Sequence, residues 1–390
     1  MKKQLKEASR CVHTGGLHDT VSGGVNTPIY TSSAYRYREL DSVVYPRYFN
    51  TINQESIVQK IAALEKGETG LVFGSGMAAI FTALMGILEP GDHIIFQNNL
   101  YGGTHHLATT ELEKFGIDYS LVDSRNVKNF AKAIQPRTKA IYIETPANPL
   151  LDIVDIKGVA DIAKAHGLIT LIDNTFASPI NQKPIEHGID IVLHSGTKYL
   201  GGHSDICFGA MVSSAELTAK IYKKSTIYGG SLNALTCYLI ERSIKTLAVR
   251  VQQQNKNALA LAEFLYAHPM IDRVNYPGLA SHEGHEIAKR QMSGFGGMLS
   301  FELKVDTLGE VDNFLDQLEM IQVAVSLGGV ETLMCSPRLT SHSKIAPEKR
   351  VAMGIRDNLL RLSVGIEDIS DLKDDIYTAI EKMAHTPVYA

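Results

Sequence analysis

The chain of 390 residues has no apolar run long enough to cross a bilayer. Its opening residues, MKKQLKEASR, have none of the apolar stretch of a secretory leader, so a cytoplasmic location is expected and no membrane partner. Cysteine is scarce. Cys11, Cys207, Cys237 and Cys335 show no paired spacing, which argues against a disulfide framework and against a structural zinc site. Positive charge is not in excess. A formal net charge of -4 argues against a generally basic nucleic-acid-binding surface and leaves room for local basic pockets that take small anions. Internal repeats and low-complexity segments are also missing. The remaining composition is ordinary for a globular protein, with 44% hydrophobic and 21% charged residues, and the length suffices for two sizeable cores.

Residues 1–50 have no steady periodicity and mix Gly, Thr, Ser and Tyr, as in VSGGVNTPIYTSSAYRY. This stretch reads as an extended arm wrapped over something, such as a second subunit. An amphipathic helix is expected over 55–66, ending near Gly67. From there to about residue 215, short runs rich in Ile, Val and Leu alternate with helical patterns. GLVFG (70–74) leads into a helix over 76–88, followed by HIIFQ (93–97), YSLVD (119–123), AIYIET (140–145), LITLID (168–173) and DIVLHS (190–195). Strands apolar on both faces and alternating with helices predict a mostly parallel sheet covered on both sides. Ligands in such folds sit beyond the carboxyl ends of the strands. A long helix is expected over 233–266. LSFELK (299–304), VAVSL (323–327) and LLRLSVG (359–365), with helices near 308–319 and 369–384, predict a smaller α/β domain built on an antiparallel sheet. The expected divisions are an arm over 1–50, a large domain over 51–245 and a small domain over 246–390.

The segment DIVLHSGTKYLGGHSD (190–205) carries the most chemistry. A strand ends at Ser195, and Lys198 follows in a turn rich in Gly, Ser and Thr. A lysine there suits a Schiff base to an aldehyde cofactor. The hydroxyls of Ser195 and Thr197 can bind a phosphate, and Gly201 and Gly202 let the backbone come close. Taken alone, Lys198 reads better as a surface lysine in a polar loop. LIDNTFASP (171–179) puts Asp173 at the end of an apolar strand, where a carboxylate needs a positive partner or a helix to cap. A protonated pyridine nitrogen would be such a partner. FGSGMAAI (73–80) offers the amides of Gly76 and Met77 at a helix N-terminus, an anion site. LYGGTHHL (100–107) offers Tyr101 as a plate for a planar ring. His105 and His106 are adjacent, do not share a helix face, and read as ordinary helix residues rather than a metal site.

FGSGMAA, LYGGT, ETPANPLLDIVDI, LIDNTFASP, HSGTKYLGGHSD, YPGLASHEGHEIAKRQM, SLGGVETL and RLSVGIED occur in this order. In that order they resemble the Cys/Met-metabolism family of pyridoxal-phosphate enzymes from about residue 11 to residue 384. The family includes cystathionine β-lyase, γ-lyase and γ-synthase, and methionine γ-lyase. The resemblance implies the type I, aspartate-aminotransferase-like PLP-dependent transferase fold and pyridoxal 5′-phosphate as cofactor. It implies Lys198 as the Schiff-base lysine, Asp173 on the pyridine nitrogen and Tyr101 stacked on the ring. Gly76, Met77, Ser195 and Thr197 would hold the phosphate, and Asn148 would contact the ring hydroxyl oxygen. YPR (45–47) resembles the family's Tyr-x-Arg, in which Tyr45 and Arg47 reach the phosphate from a neighbouring subunit. Arg361 would clamp the substrate carboxylate, and Ser326 would lie near lysine and substrate. Without the family, Arg361 reads as a surface arginine on a strand. A homotetramer built as a dimer of dimers is implied.

Several positions depart from common family forms. YFNTI follows Tyr-x-Arg where relatives usually show Asn-Pro-Thr. Gly103 stands where methionine γ-lyases usually carry Cys. Val44 and Val325 stand where cystathionine γ-lyases typically carry Glu. CSPRLTSH (335–342) departs from the more usual Met-Thr-His ending. The reading is a carbon–sulfur lyase that converts cystathionine or a similar thioether amino acid to a keto acid, ammonia and a thiol, with β-elimination favoured over γ. The alternatives are a cystathionine γ-synthase or O-acyl-homoserine sulfhydrylase, a methionine γ-lyase, and a non-catalytic member that keeps only the fold.

Overall fold

The computed structural model describes residues 5–385 apart from 306, 342, 344 and 345. The chain forms two compact units. The first comprises Met1–Thr145 and Val154–Val249, and the second Pro146–Ile153 and Arg250–Ala390. Of the sequence expectations, His342 and residues 1–4 and 386–390 lie outside the described residues.

The first unit is built on seven strands: β1 Thr69–Phe73, β2 His93–Gln97, β3 Asp118–Val122, β4 Thr138–Glu144, β5 Ile169–Asp173, β6 Ile191–Ser195 and β7 Gly209–Ser213. They lie in the order β1-β7-β6-β5-β4-β2-β3. All neighbours are parallel except β7, which runs antiparallel to both β1 and β6. Successive side chains of a strand point to opposite faces, and here both faces are apolar. Ile94, Phe96, Tyr142, Leu171, Ile191 and Leu193 enter one core, closed by Ala79, Ile80, Ala83 and Leu84 of the helix Gly76–Ile87. Ile95, Ile141, Ile143, Ile172 and Val192 enter the other, closed by Ile156, Val159 and Ala163 of the helix Ile156–Ala165. Each such buried Leu or Ile stabilises the fold by about 1.5–3 kcal/mol relative to exposure. The continuous apolar runs of the sequence have this two-sided burial as their cause.

The second unit carries β8 Ile271–Asn275, β9 Met298–Leu303, β10 Gln322–Val323, β11 Leu333–Cys335 and β12 Leu359–Ser363, in the order β10-β11-β12-β9-β8. Leu299, Phe301, Leu303, Leu360 and Leu362 face a core shared with Leu372, Ile376, Ile380 and Met383 of the helix Ile369–His385. Alternation therefore turns Arg361 to the opposite face of β12.

The structure differs from expectation where non-local packing overrides local pattern. β7 was not expected. It contains the small residues Gly209 and Ala210, and a Cβ on Gly209 would meet the Ser75 carbonyl oxygen at 2.1 Å. β8 and β11 were also not expected. The long helix is two, Ala234–Ile244 and Leu247–Tyr266, because the Thr246 N–H and hydroxyl both donate to the Ser243 carbonyl and close a tight turn. In VAVSL only Val323 lies in a ladder, since Ser326 takes φ 85° and leaves the extended region. β10 pairs parallel to β11, so the smaller sheet is mixed rather than antiparallel. The helix expected over 308–319 stops at Asp316. Beyond it the Asp375 carboxylate accepts the N–H groups of Glu319, Met320 and Ile321 (2.9, 3.2 and 2.8 Å). Helix Ile52–Glu65 begins earlier than expected, because the Gln54 side chain accepts the Thr51 N–H at 3.0 Å. Its left-handed end falls on Lys66 (φ 66°), not on Gly67. Gly67 is required instead by close packing, a Cβ there meeting Val212 Cγ1 at 2.2 Å. No helix among the described residues is long and apolar enough to cross a membrane.

Candidate active site

The chemistry-bearing residues of the first unit gather at the carboxyl ends of β1, β5 and β6. Asp173 and Ser195 are the last residues of β5 and β6. The helix Gly76–Ile87 follows β1 through Gly74 and Ser75, and the Ser75 hydroxyl caps it by accepting the Ala78 N–H at 3.1 Å. The amides of Gly76 and Met77 open this helix, where the ladder supplies no partner. Gly76 is buried against Ser195. A Cβ on it would fall 2.9 Å from both Cα and Cβ of Ser195, so glycine is what lets the helix start touch the strand end.

Lys198 is half-buried in the turn after β6. Its N–H donates to the Ser195 carbonyl (3.1 Å), and its own carbonyl accepts the Gly202 N–H (2.7 Å). Gly202 has φ 69°, the left-handed conformation that the turn demands. The Thr197 hydroxyl accepts the Phe208 N–H (3.1 Å) and donates to the Phe208 carbonyl (3.3 Å), which fixes the turn against the start of β7.

Asp173 is 6% exposed. Burial pushes its carboxyl above the ordinary value; two hydrogen bonds from Thr175 and the charge of His194 oppose that shift. The Thr175 N–H (3.0 Å) and hydroxyl both donate to Asp173 Oδ1, and the same hydroxyl accepts the Ser195 N–H at 2.8 Å. Thr175 thus joins the two strand ends. Its signal in the sequence is its place two residues after an Asp, where local side-chain to backbone bonds form.

Tyr101 is 49% exposed at the start of the short helix Gly102–His106. Its N–H donates to the buried Glu144 carboxylate at 2.8 Å, and Glu144 lies beside Asp173 across β4 and β5. A Cβ on Gly103 would fall 2.6 Å from the Tyr101 ring and 3.0 Å from Met77 Sδ, so any side chain there displaces that ring. Tyr45 precedes the 3₁₀ turn Pro46–Tyr48, Arg47 lies within it, and both are exposed. The Arg47 guanidinium lies over the rings of Tyr48 and Tyr45 (5.0 and 5.6 Å) and donates to the Thr226 carbonyl.

In the second unit Arg361 is 7% exposed. One terminal nitrogen donates to Asn148 Oδ1 and the other to the Ser326 carbonyl, each at 2.9 Å. Its Nε is buried with no hydrogen-bond partner. Such an orphaned cationic donor calls for an anion. Asn148 is buried and belongs to this unit, through the segment Pro146–Ile153. Among the described residues no cluster of His, Cys, Asp and Glu could hold a metal ion.

The first unit's donor set fits a phosphorylated pyridine aldehyde. It presents an amine, a buried carboxylate that burial makes costly without a cationic partner, and a helix start closed so tightly on a serine that a Cβ would fill the gap. Sequence reading missed Thr175, Glu144 and, beneath the strands, Glu65 and His194, which share a buried hydrogen bond of 2.6 Å.

Comparison with known proteins bears on this geometry. Residues 8–381 match the model of the Cys/Met metabolism PLP-dependent enzyme family. The chain is 45% identical over 377 residues to a cystathionine beta-lyase of Lactococcus lactis subsp. cremoris, covering 96% of this chain and 98% of that protein. It is 43% identical over 382 residues to a cystathionine gamma-lyase of Bacillus subtilis (strain 168), covering 97% and 100%. Among solved structures, the cystathionine gamma-lyase from Lactobacillus plantarum complexed with L-serine superposes with a TM-score of 0.93 at 40% identity, covering 97% of this chain and 100% of that one.

Proposed function

The chain belongs to the Cys/Met metabolism PLP-dependent enzyme family, and from that premise we propose that it is a carbon–sulfur lyase acting on cystathionine or a related thioether amino acid. The products are a keto acid, ammonia and a thiol, by β- or γ-elimination. Membership makes it a pyridoxal 5′-phosphate enzyme of sulfur amino acid metabolism with the type I fold. The lyase reading rests on its similarity, along nearly the whole chain, to proteins named as cystathionine lyases of both kinds.

When bound, the cofactor would supply an electron sink for the substrate's α-carbon. The Lys198 amine removes the α-proton and returns one later in the reaction. Asp173 would hold the positive charge of the pyridine nitrogen, which would offset the cost of burying its carboxylate. The amides of Gly76 and Met77 with the hydroxyls of Ser195 and Thr197 receive the phosphate. Tyr45 and Arg47 reach that phosphate from a neighbouring subunit, in a homotetramer built as a dimer of dimers. Arg361 binds the substrate carboxylate, with Asn148 and Ser326 holding its guanidinium in the plane that a carboxylate needs. The Tyr101 hydroxyl protonates the leaving sulfur. For γ-elimination a further proton leaves the β-carbon before the thiol departs.

A panel of cystathionine, methionine, cysteine and acyl-homoserines, with keto acid and thiol products identified, tests this. Pyruvate or 2-oxobutyrate released from cystathionine is the expected result. No keto acid from any thioether, together with cystathionine formed from cysteine and an acyl-homoserine, would overturn the lyase reading in favour of γ-replacement.

A further inference from the structure

Asp173 and Ser195 stand on one face of the large sheet, because they continue the alternation of Leu171 and Leu193, which enter the core under the helix Gly76–Ile87. Their chain neighbours Asn174 and His194 continue the alternation of Ile172 and Val192 and turn to the opposite face. There both meet one carboxylate oxygen. Glu65 Oε1 accepts from His194 Nε2 at 2.6 Å and from Asn174 Nδ2 at 2.8 Å. Glu65 is the last residue of the helix Ile52–Glu65, and it lies 129 positions before His194 in the chain. All three side chains are buried, Glu65 and Asn174 at 0% and His194 at 2% exposure. Asn174 is held further. Its Nδ2 donates to the Gln182 carbonyl (3.0 Å), and its Oδ1 accepts from Gln182 Nε2 (2.9 Å), which also donates to the Thr145 carbonyl (3.1 Å).

The second carboxylate oxygen of Glu65 is buried with no hydrogen-bond partner. An acceptor left unmade in the interior is costly. Packing alone would be served at least as well by an apolar side chain of the same length. The carboxylate therefore does something that packing does not. From this geometry we infer that Glu65, through His194 and Asn174, is a positioning residue that sets the separation between Asp173 and Ser195. On the cofactor face the Thr175 hydroxyl makes the matching tie, from the Asp173 carboxylate to the Ser195 N–H. One bridge in front and one behind hold two strand ends whose spacing would have to suit a ligand that bonds to both. The inference rests on placing Asp173 and Ser195 at the two ends of the cofactor.

A ligand that touches both ends feels the spacing, and a ligand that touches one end does not. Full-length protein stripped of cofactor is titrated with pyridoxal 5′-phosphate and, separately, with inorganic phosphate. Glu65→Met keeps the length and removes both bonds. It is expected to weaken pyridoxal 5′-phosphate by about tenfold or more, the worth of one to two buried hydrogen bonds, and to leave inorganic phosphate within about twofold. Glu65→Gln keeps an acceptor at Oε1 and is expected to stay within about threefold of the parent for both ligands. If Glu65→Met does not fold, His194→Leu removes the tie from its other end and is read in the same way, with Glu65→Gln as the control. Equal loss of both ligands, no loss of either, or a Gln variant as impaired as the Met variant overturns the inference. Asp173→Asn and Ser195→Ala run alongside. If both leave pyridoxal 5′-phosphate binding unchanged, it is the assignment of the cofactor's ends that fails.

Discussion

Asp173 is a residue whose stability effect and proposed chemical role oppose each other. Its carboxyl is pushed up from the ordinary 3.8 chiefly by burial. Between the unfolded and the folded value the native state therefore holds more protons than the unfolded chain, and stability falls as pH rises through that window. Above the window the whole penalty is present, and below about pH 4 it is gone. Asparagine keeps the Oδ1 acceptor that Thr175 uses and carries no charge. Cofactor-free Asp173→Asn is thus expected to melt higher than the cofactor-free parent at pH 7 to 8. The gap should close as pH falls towards 4, and saturating pyridoxal 5′-phosphate should reverse the order. Thermal melts across pH with and without cofactor check this; a gap that does not change with pH would show that charge burial is not its cause. Lys198, Asp173, Ser195 and Arg361 could be nominated from the sequence, because each stands near a strand end or on a strand in a motif of distinctive order. Thr175 and Glu144 were not. Their roles depend on an N–H group 20 residues away for Thr175 and 43 away for Glu144; the place of Thr175 two residues after Asp173 marks only its local bonds, and no local pattern marks the distant ones.

The helix Ile52–Glu65 behaves as a bolt rather than as an amphipathic cover. Asn53, Gln54, Ser56, Lys60 and Glu65 are all buried, and each reaches a segment distant in sequence. Asn53 accepts the Tyr30 N–H (3.0 Å) and donates to the Pro28 carbonyl (2.9 Å). Gln54 donates to the carbonyls of Pro46 and Leu232 (2.9 and 2.8 Å). Ser56 donates to Gly15, and Lys60 to Cys11. Burial pushes the Lys60 ammonium down, opposed by the charge of Glu241. Asn53→Ala removes two part-buried hydrogen bonds that hold the arm, a loss of about 1–2 kcal/mol. The expected outcome is a lower urea midpoint and cleavage between residues 17 and 45 accelerated by about tenfold in limited proteolysis. Unchanged cleavage with a lowered midpoint would place the loss elsewhere than in the arm. An apolar-periodicity reading finds this helix but not its work, since its important residues are the polar ones facing inward.

At the scale of the whole molecule, the single chain leaves much apolar surface on its N-terminal segment. Val21 and Val25 are each 94% exposed, and Tyr37 and Val43 are 66% and 61% exposed. The neighbouring subunit proposed above would cover such exposed apolar groups. If Tyr45 and Arg47 complete a neighbour's phosphate site, an isologous pair has two shared sites, each drawing Lys198 from one chain and Arg47 from the other. Neither Lys198→Ala nor Arg47→Ala is then active alone. Co-expressed in equal amounts they are expected to recover about a quarter of parental activity, since half of random pairs are mixed and each mixed pair has one intact site. No recovery on co-expression would mean that each site is built within one chain. Local chemistry was enough to establish the mostly parallel sheet and the family and to nominate the residues proposed to react: two-sided apolar runs, strand-end glycines and motif order are all properties of neighbours in the chain. Tertiary structure alone decided that β7 enters the large sheet antiparallel, that Arg361 is gripped by Asn148 from 213 residues away, and that Glu65 ties the backs of β5 and β6. Periodicity constrains which face a residue turns to. Which distant partner waits on that face is set by strand order and loop path, and those follow from the packing of the whole chain.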